Sequence, residues 1–104
     1  MTFYKTGNTT VQNCIISESL KNSIHSKGAH GYGGIWGGTN SGYYHNLMAS
    51  HDSRTPRLDR EIQGTDVRNN IIYNWGQTNS AYGAESVTYD GEYIDITSTV
   101  NWIN

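Results

Sequence analysis

The sequence predicts an all-β protein, and three observations support this prediction. Charged residues make up only 15% of the 104 residues, against about 25% in an average domain, and Asn, Ser, Thr, Gly and Tyr replace them. Leucine occurs three times, at Leu20, Leu47 and Leu58, so one of the best helix formers is scarce. The apolar runs are short and rich in β-branched and aromatic residues, and Gly, Asn, Asp and Ser separate them, as is typical of strands and turns.

Five segments have this strand pattern, and one short segment suggests a helical turn. The predicted strands lie near Thr10–Ile16, Gly34–Trp36, Gly42–Met48, Asp66–Tyr73 and Tyr93–Val100. The segment Ser17–Leu20 has enough helical character for one turn and little more. Cys14 is the single cysteine and lies inside the first predicted strand, so we expect a buried, unreactive thiol and no internal disulfide.

Internal repeats predict how these strands are arranged. An asparagine followed by apolar residues occurs at Asn13, Asn46, Asn70 and Asn101, with spacings of 33, 24 and 31 residues. Repeated strands with loops of unequal length are typical of a solenoid, so we expect a parallel solenoid of about four coils. Asparagine suits the turn of each coil because it tolerates a left-handed backbone and its amide can bond to neighbouring coils.

The length of the chain indicates an incomplete solenoid. Four coils at about 4.8 Å each rise only about 19 Å, and no capping segment is recognisable at either end. We therefore interpret residues 1–104 as a partial β-helix domain, in which Met1 is either an internal start or the edge of an excised segment. Its open ends would offer unpaired strand edges for self-association.

The composition argues against several classes of partner. Seven basic and nine acidic residues give a net charge of −2, so we expect no polycationic surface for a nucleic acid. No apolar run approaches the roughly 18–20 residues of a membrane span, and no leader opens the sequence, so we expect no membrane partner.

Five motifs, taken in order, carry a resemblance to a known family. They are Asn13–Leu20, the His-Gly-Tyr-Gly-Gly-Ile-Trp-Gly-Gly segment His30–Gly38, His45–Leu47, Ser53–Arg57 and Asn69–Gly76. Together they make the chain resemble the pectate lyases and the pectate-trisaccharide-lyase-like proteins. The members of this family are polysaccharide lyases with a right-handed parallel β-helix, so the resemblance implies that fold.

The resemblance also implies a reaction and three site residues. Lyases of this family cleave pectate, or polygalacturonate, by β-elimination, in which the C5 proton of a uronate is removed and the C4 glycosidic oxygen is expelled. A calcium ion on the substrate carboxylate stabilises the enolate-like anion. Arg54 matches the family's catalytic base in an Arg-x-Pro pattern, while Arg57 and Lys27 resemble its substrate-binding residues.

An arginine base needs a lowered pKa, because a guanidinium is normally always protonated. Positive charge crowded around Arg54 by Lys27, Arg57 and calcium would disfavour its charged form and lower that pKa. Only a small deprotonated fraction is needed if the acidified proton is close and well oriented.

The sequence departs from the family at the calcium site. The family's calcium-binding acids precede the strand at Val11, whereas residues 1–10 contain no acid, and Asp90–Glu92 lies at the wrong end and indicates a turn. The family's later, C-terminal coils are missing as well. We therefore expect calcium as the family cofactor but no ligands for it in this chain, and a lyase that is weak or inactive. Secretion is implied by the resemblance alone.

Other interpretations of these residues stay open. A non-catalytic β-helix segment would bind acidic glycans through Lys27, Arg54 and Arg57, whereas a purely structural β-helix piece would use none of them. The four histidines lack the spacing of a zinc site, so we expect stacking or hydrogen-bonding histidines. The glycine-rich segment lacks the Gly-Lys-Ser/Thr ending of a phosphate loop and indicates close backbone approach instead. Four aromatic residues can be solenoid stacks or sugar platforms: Tyr32, Trp36, Tyr43 and Tyr44.

Overall fold

The described part of the chain is built from short β-strands. A computed structural model describes residues 1–59, 64–76 and 80–83, and the backbone of strands at 87–89, 92–94 and 100–103. The strands are β1 (Thr10–Gln12), β2 (Ile15–Ser17), β3 (Ile35–Trp36), β4 (Gly42–Tyr44), β5 (Leu47–Ala49), β6 (Arg57–Leu58), β7 (Thr65–Arg68), β8 (Ile71–Tyr73), β9 (Tyr82–Gly83), β10 (Val87–Tyr89), β11 (Glu92–Ile94) and β12 (Val100–Ile103). Helices are absent from these residues, which confirms the all-β prediction, and none of them forms a segment able to cross a membrane as a helix.

Most strands belong to three parallel sheets. Their orders are β1-β4-β7-β12, β2-β5-β8 and β3-β6-β9, and β10 and β11 form a separate antiparallel pair. Neighbours within a parallel sheet are never consecutive in the chain, because the chain visits the other two sheets before it returns. This arrangement is compatible with a β-helix-like fold.

Left-handed residues divide three of the predicted strands into pairs of shorter strands. Between β1 and β2, β4 and β5, and β7 and β8 lie Asn13, His45 and Asn69, with φ of 55°, 52° and 53°. Asparagine and histidine tolerate this conformation better than most residues. The chain therefore bends where an uninterrupted strand was predicted, and the two halves of each segment join different sheets.

The register corrects the alignment of the sequence repeats by one residue. Ile15 pairs with Leu47, and Leu47 pairs with Ile71. Cys14 is therefore the counterpart of Asn46, 32 residues away, and Asn13 is the counterpart of His45. The expected equivalence of Asn13 and Asn46 is wrong. Asn13 is the left-handed residue of its turn, whereas Asn46 comes one position after the left-handed residue His45.

Two further expectations near the ends of the chain also change. Asn101 pairs with Asp66 of β7, not with the position of Asn70. The segment Ser17–Leu20 forms no helical turn, since Ser17 ends β2 and the next residues are irregular. Of the strand predicted at Tyr93–Val100, residues 95–99 lie outside the described part, as do Asp90 and Gly91 of the predicted turn.

The thiol of Cys14 is exposed, so the prediction of a buried cysteine is wrong. The left-handed residue Asn13 ends β1 before Cys14, so Cys14 lies between β1 and β2 and not inside a strand. Its Sγ lies 3.2 Å from the carbonyl oxygen of Gln12. The reactivity of this thiol is therefore not limited by burial.

The core is a stack of apolar and aromatic residues enclosed by the three parallel sheets. It consists of Val11, Trp36, Tyr43, Met48, Leu58 and Val67, with Phe3 and Ile16 packed against it. The rings of Trp36 and Tyr43 are stacked at 4.6 Å, and the hydroxyl of Tyr43 donates to the carbonyl of Gly37 at 2.7 Å. Burial raises the pKa of Tyr43 to about 12. Trp36 and Tyr43 are therefore interior stacks and not sugar platforms.

Candidate functional site

Three rings and one guanidinium form a continuous stack, here called the His25–Arg54 column. The rings of His25 and His30 are nearly parallel with their centroids 4.7 Å apart, and the ring of His30 lies 4.1 Å from that of Tyr32. The guanidinium carbon of Arg54 lies 4.4 Å from the centroid of Tyr32. The column thus brings the imidazole of His30 and the guanidinium of Arg54 into contact with one tyrosine ring.

Parallel backbone pairing brings the segment of Tyr32 next to the segment of Arg54. Tyr32 forms a bridge with Ser53, and the N–H of Gly34 donates to the carbonyl of Arg54 at 2.8 Å. The segment that contains Tyr32 therefore runs beside the segment that contains Arg54, one passage of the chain later. A residue 22 positions away in the sequence becomes a direct neighbour in this way.

Gly33 permits this close approach. A Cβ atom at Gly33 would lie 2.7 Å from the carbonyl oxygen of Arg54 and 2.7 Å from Cε of Met48. Contacts this short are not sustained by real side chains, so the position requires glycine. The backbone that approaches Gly33 is that of the protein itself, and the expected approach of this segment to a substrate stays a prediction.

Lys27 lies within electrostatic reach of the same column. The pKa of His30 is lowered, first by loss of hydration and then by the charges of His25, Arg54 and Lys27. The backbone N–H of Lys27 donates to Nδ1 of His25 at 3.1 Å, within a turn closed by the N–H of Gly28 and the carbonyl of His25. Lys27 is exposed and Arg54 is half-buried, so both can meet a ligand from solvent.

The backbone around Arg54 is fixed by its own neighbours. Arg54 has a left-handed φ of 54° and precedes a cis peptide bond between Thr55 and Pro56. Thr55 is fully buried, and its N–H and Oγ1 both donate to the carbonyl of Ser80. Arg54 therefore projects from a segment that is tied to the next passage of the chain.

Arg57 lies in a different setting from Arg54. It belongs to β6, where it pairs with Ile35 on one side and Tyr82 on the other. Its guanidinium carbon is 5.9 Å from the ring centroid of Tyr82. Lys27 and Arg54 therefore share the surroundings of His30, whereas Arg57 packs against a second tyrosine. The roles predicted for all three residues stay predictions.

The other two histidines are not part of the column. His51 is buried, and its Nε2 donates to the carbonyl of Ile16 at 2.8 Å while its Nδ1 lies 2.9 Å from Oγ of Ser19. His45 is exposed at a turn. The stacked pair His25 and His30 and the bonded His51 confirm the expectation of stacking and hydrogen-bonding histidines.

The described acidic residues do not fit a calcium site. Asp52 pairs with Lys21 at 2.8 Å, and Asp66 accepts from Nε of Arg68 at 2.7 Å. Calcium takes six to eight oxygen ligands, several of them carboxylates. Within residues 1–59, 64–76 and 80–83, no three His, Cys, Asp or Glu side chains converge as metal ligands.

Sequence reasoning missed Asp59 and Tyr4, which line a pocket beside Arg57. Asp59 stands two positions after Arg57, and in an extended segment two such residues face the same way. That spacing is the signal that would have found it. Tyr4 gave no such signal, because its place depends on pairing between residues 1–3 and β3.

Comparison with known proteins adds no assignment. No protein-family model matches the chain, and no curated protein matches it.

Proposed function

We propose that this chain is part of a pectate-lyase-like protein and that it binds uronate polysaccharides such as pectate. The parent activity would be calcium-dependent β-eliminative cleavage of polygalacturonate, outside the cell. The chain itself would bind the polymer but cleave it weakly or not at all, because its described residues do not fit a calcium site.

The His25–Arg54 column is the observation that carries this proposal. The guanidinium carbon of Arg54 lies 4.4 Å from the ring centroid of Tyr32, and Arg54 and Lys27 both act electrostatically on His30, so two permanent positive charges lie near one another. A polyanion with regularly spaced carboxylates is the ligand class that such a concentration of cations attracts. Arginine suits a carboxylate especially well, since its planar fork can donate two parallel hydrogen bonds.

The arrangement of the strands supports the proposed fold, a right-handed parallel β-helix of about four coils. Three successive passages of the chain supply β1, β4 and β7 to one sheet and β2, β5 and β8 to another. β12 then joins the first sheet next to β7. Crossover connections between parallel strands are right-handed in nearly all proteins, which favours that hand.

In this proposal Arg54 is the base and Lys27 and Arg57 bind the sugar carboxylates. The guanidinium carbon of Arg54 lies 4.4 Å from the ring centroid of Tyr32, in a cation–π contact. A guanidinium held in this way suits the binding of a carboxylate, whereas cleavage would also need the calcium ion of the parent activity.

This contact favours a second candidate function, a non-catalytic β-helix segment that recognises acidic glycans. The same three cations would carry it, and none would need to lose a proton. The two candidates differ only in whether bound polymer is cleaved.

Binding and cleavage of polygalacturonate by the full chain test both candidates. We expect binding that weakens as salt is raised, because exposed charges are screened. Arg54→Ala should weaken it by about tenfold, which corresponds to about 1.4 kcal/mol. The matched control is Arg68→Ala. It removes an arginine of β7 that is paired with Asp66, and it should leave binding unchanged.

The absorbance of unsaturated uronides measures cleavage in the same samples. No rise with added calcium is expected from the isolated chain. A strong calcium-dependent rise that is lost in Arg54→Ala would overturn the inactive part of the proposal and assign Arg54 to catalysis. Equal losses in Arg54→Ala and Arg68→Ala, or no binding at low salt, would contradict a specific uronate site.

A further inference from the structure

An open pocket of about 210 Å³ lies on the outer face of the β3-β6-β9 sheet. It is lined by Tyr4, Ile35, Arg57 and Asp59. The N–H of Phe3 donates to the carbonyl of Ile35 at 2.8 Å, which holds the N-terminal segment beside β3. Pockets for drug-sized ligands measure about 300–1,000 Å³, so this one suits a ligand the size of a single ring.

Gly37 provides the space for a carboxylate at this pocket. Asp59 is only 6% exposed, and its N–H donates to the carbonyl of Trp36 at 2.8 Å. A Cβ atom at Gly37 would lie 2.5 Å from Cβ of Asp59 and 3.1 Å from its Oδ2. Any side chain at position 37 would therefore displace Asp59.

The pocket combines this acceptor with a donor and an apolar wall. Arg57 contributes a guanidinium with five N–H donors, and Asp59 contributes acceptor oxygens. Tyr4 is 48% exposed and Ile35 is half-buried, and the ammonium of Lys5 lies 5.6 Å from the centroid of the Tyr4 ring. A flat apolar surface beside fixed donors and acceptors is typical of sites for small polar rings.

We propose that this pocket binds one neutral pyranose ring of a glycan. Tyr4 would lie against the C–H face of the sugar, Arg57 would donate to its oxygens, and Asp59 would accept from its hydroxyl groups. A neutral ring is favoured over a uronate because Asp59 offsets the attraction of Arg57 for a carboxylate. Arg57 and Asp59 each already interact with other groups of the protein, so the ligand meets side chains that are held in place.

This inference goes beyond uronate binding and depends neither on Arg54 nor on cleavage. The proposed uronate site uses Lys27 and Arg54 at the His25–Arg54 column, and Arg57 is common to both sites. Tyr4 and Asp59 belong to the pocket alone. A glycan with a neutral sugar near a uronate would engage both. The pocket can be tested with monosaccharides that are too small to span the two sites.

The test is a titration of the isotope-labelled full chain, followed by the amide NMR signals of Gly37 and Asp59. The probes are methyl β-galactopyranoside and its C6 carboxylate counterpart, which differ in charge but share the ring. We expect the neutral sugar to shift both signals with a dissociation constant in the millimolar range, about −4 kcal/mol or weaker. The carboxylate should shift them only at higher concentrations, because Asp59 offsets the attraction of Arg57 for its charge.

Three variants make the titration specific. Tyr4→Ala should weaken binding of the neutral sugar by about fivefold or more, while Tyr73→Ala, which changes an exposed tyrosine on another sheet, should leave it unchanged. Asp59→Asn should reduce the discrimination between the two sugars, because it removes the charge and keeps an acceptor. If Asp59→Asn fails to fold, the comparison of neutral-sugar binding by Tyr4→Ala and Tyr73→Ala still tests the proposal.

Several outcomes would overturn the proposal. They are no shift at Gly37 and Asp59 with the neutral sugar, tighter binding of the carboxylate than of the neutral sugar, and an equal effect of Tyr4→Ala and Tyr73→Ala. Failure of the uronate site would appear instead as loss of polygalacturonate binding with these shifts intact.

Discussion

Nδ2 of Asn46 donates a hydrogen bond of 3.0 Å to Oδ1 of Asn70, its counterpart in the neighbouring strand pair. The same Asn70 oxygen accepts from the backbone N–H of Asn46 at 2.9 Å. Asn46 also donates to the carbonyl of Val11, and Asn70 to that of Tyr43. Both side chains are almost fully buried. The two amides therefore satisfy backbone groups that the turns between the strands leave without a strand partner.

Asn46→Ala should destabilise the protein by about 2–3 kcal/mol or more, because several buried polar groups lose their partner at once. The measurement is the midpoint of denaturant unfolding followed by tryptophan fluorescence. Asn22→Ala, at an exposed position, is the control and should cost less than about 0.5 kcal/mol. The hydrogen bonds between Asn46 and Asn70 are here called the ladder. If Asn46→Ala lost no more stability than this control, the role assigned to the ladder would be contradicted.

Cys14→Asn should leave stability unchanged or raise it by up to about 1 kcal/mol. Cys14 occupies the position that corresponds to Asn46, and its N–H already donates to Oδ1 of Asn46 at 3.0 Å. An asparagine there would extend the ladder by one amide. Denaturant unfolding under reducing conditions checks this, with Cys14→Ser as the control for loss of the thiol. A clear loss in Cys14→Asn alone would show that the position does not continue the ladder.

Gly33→Ala should destabilise the protein by about 1–3 kcal/mol and weaken polygalacturonate binding, because the new Cβ would push against the carbonyl of Arg54. The comparison is Gly28→Ala. That glycine has a left-handed φ of 78°, but a Cβ atom added there would meet nothing within 4 Å, so only backbone strain of about 1 kcal/mol is expected. If Gly33→Ala matched Gly28→Ala in both stability and binding, close packing behind Arg54 would not matter.

The protein should lose stability as the pH falls below the ordinary histidine pKa of about 6.5. The pKa of His30 is lowered in the folded state, so the unfolded chain takes up this proton first and is favoured in that range. This contribution to stability is fully present above the pKa of His30 in the unfolded chain. It is lost as the pH falls through the pKa of His30 in the folded protein. His30→Gln should flatten this part of the stability profile relative to the unchanged protein, and an unaltered profile would contradict the assignment.

The same histidine reports on its charged neighbours. Lys27→Ala and Arg54→Ala should each raise the pKa of His30 towards its ordinary value, because each removes a nearby positive charge. Bound polygalacturonate should also raise it, since a carboxylate favours the imidazolium. NMR titration of the His30 ring measures all three effects. No change on saturation with the polymer would place the bound carboxylates away from the His25–Arg54 column.

The strands and their register could be predicted from the sequence where a single structural requirement determined the residue type at a position. Short β-branched runs such as Ile15–Ser17 predicted strands, and the spacing of Asn46 and Asn70 placed two of them in register. The alignment failed at Asn13 because asparagine serves two purposes here, a left-handed turn and a buried ladder, and sequence spacing does not separate them. Cys14 was misplaced for the same reason, since a hidden bend made an exposed residue look interior.

The candidate site was predictable only in part. The Arg-x-Pro pattern drew attention to Arg54 and Arg57, and the glycine-rich segment drew attention to His30 and Tyr32. Their stacking could not be predicted, because it depends on the bridge between Tyr32 and Ser53. The pocket at Asp59 was missed because it needs a gap at Gly37 as well as a charge, and a gap has no signature of its own in a sequence.

The span of 32 residues between Cys14 and Asn46 exceeds the 24 residues between Asn46 and Asn70, and its connection between β2 and β3, residues 18–34, carries Lys27, His25 and His30. The sheets take up similar numbers of residues in both spans, so the extra length belongs to the loop. Three residues of the proposed uronate site and its surroundings therefore lie in a loop outside the three parallel sheets. We expect that a loop of different length and charge at positions 18–34 would change which ligand is bound, while the three parallel sheets keep their structure.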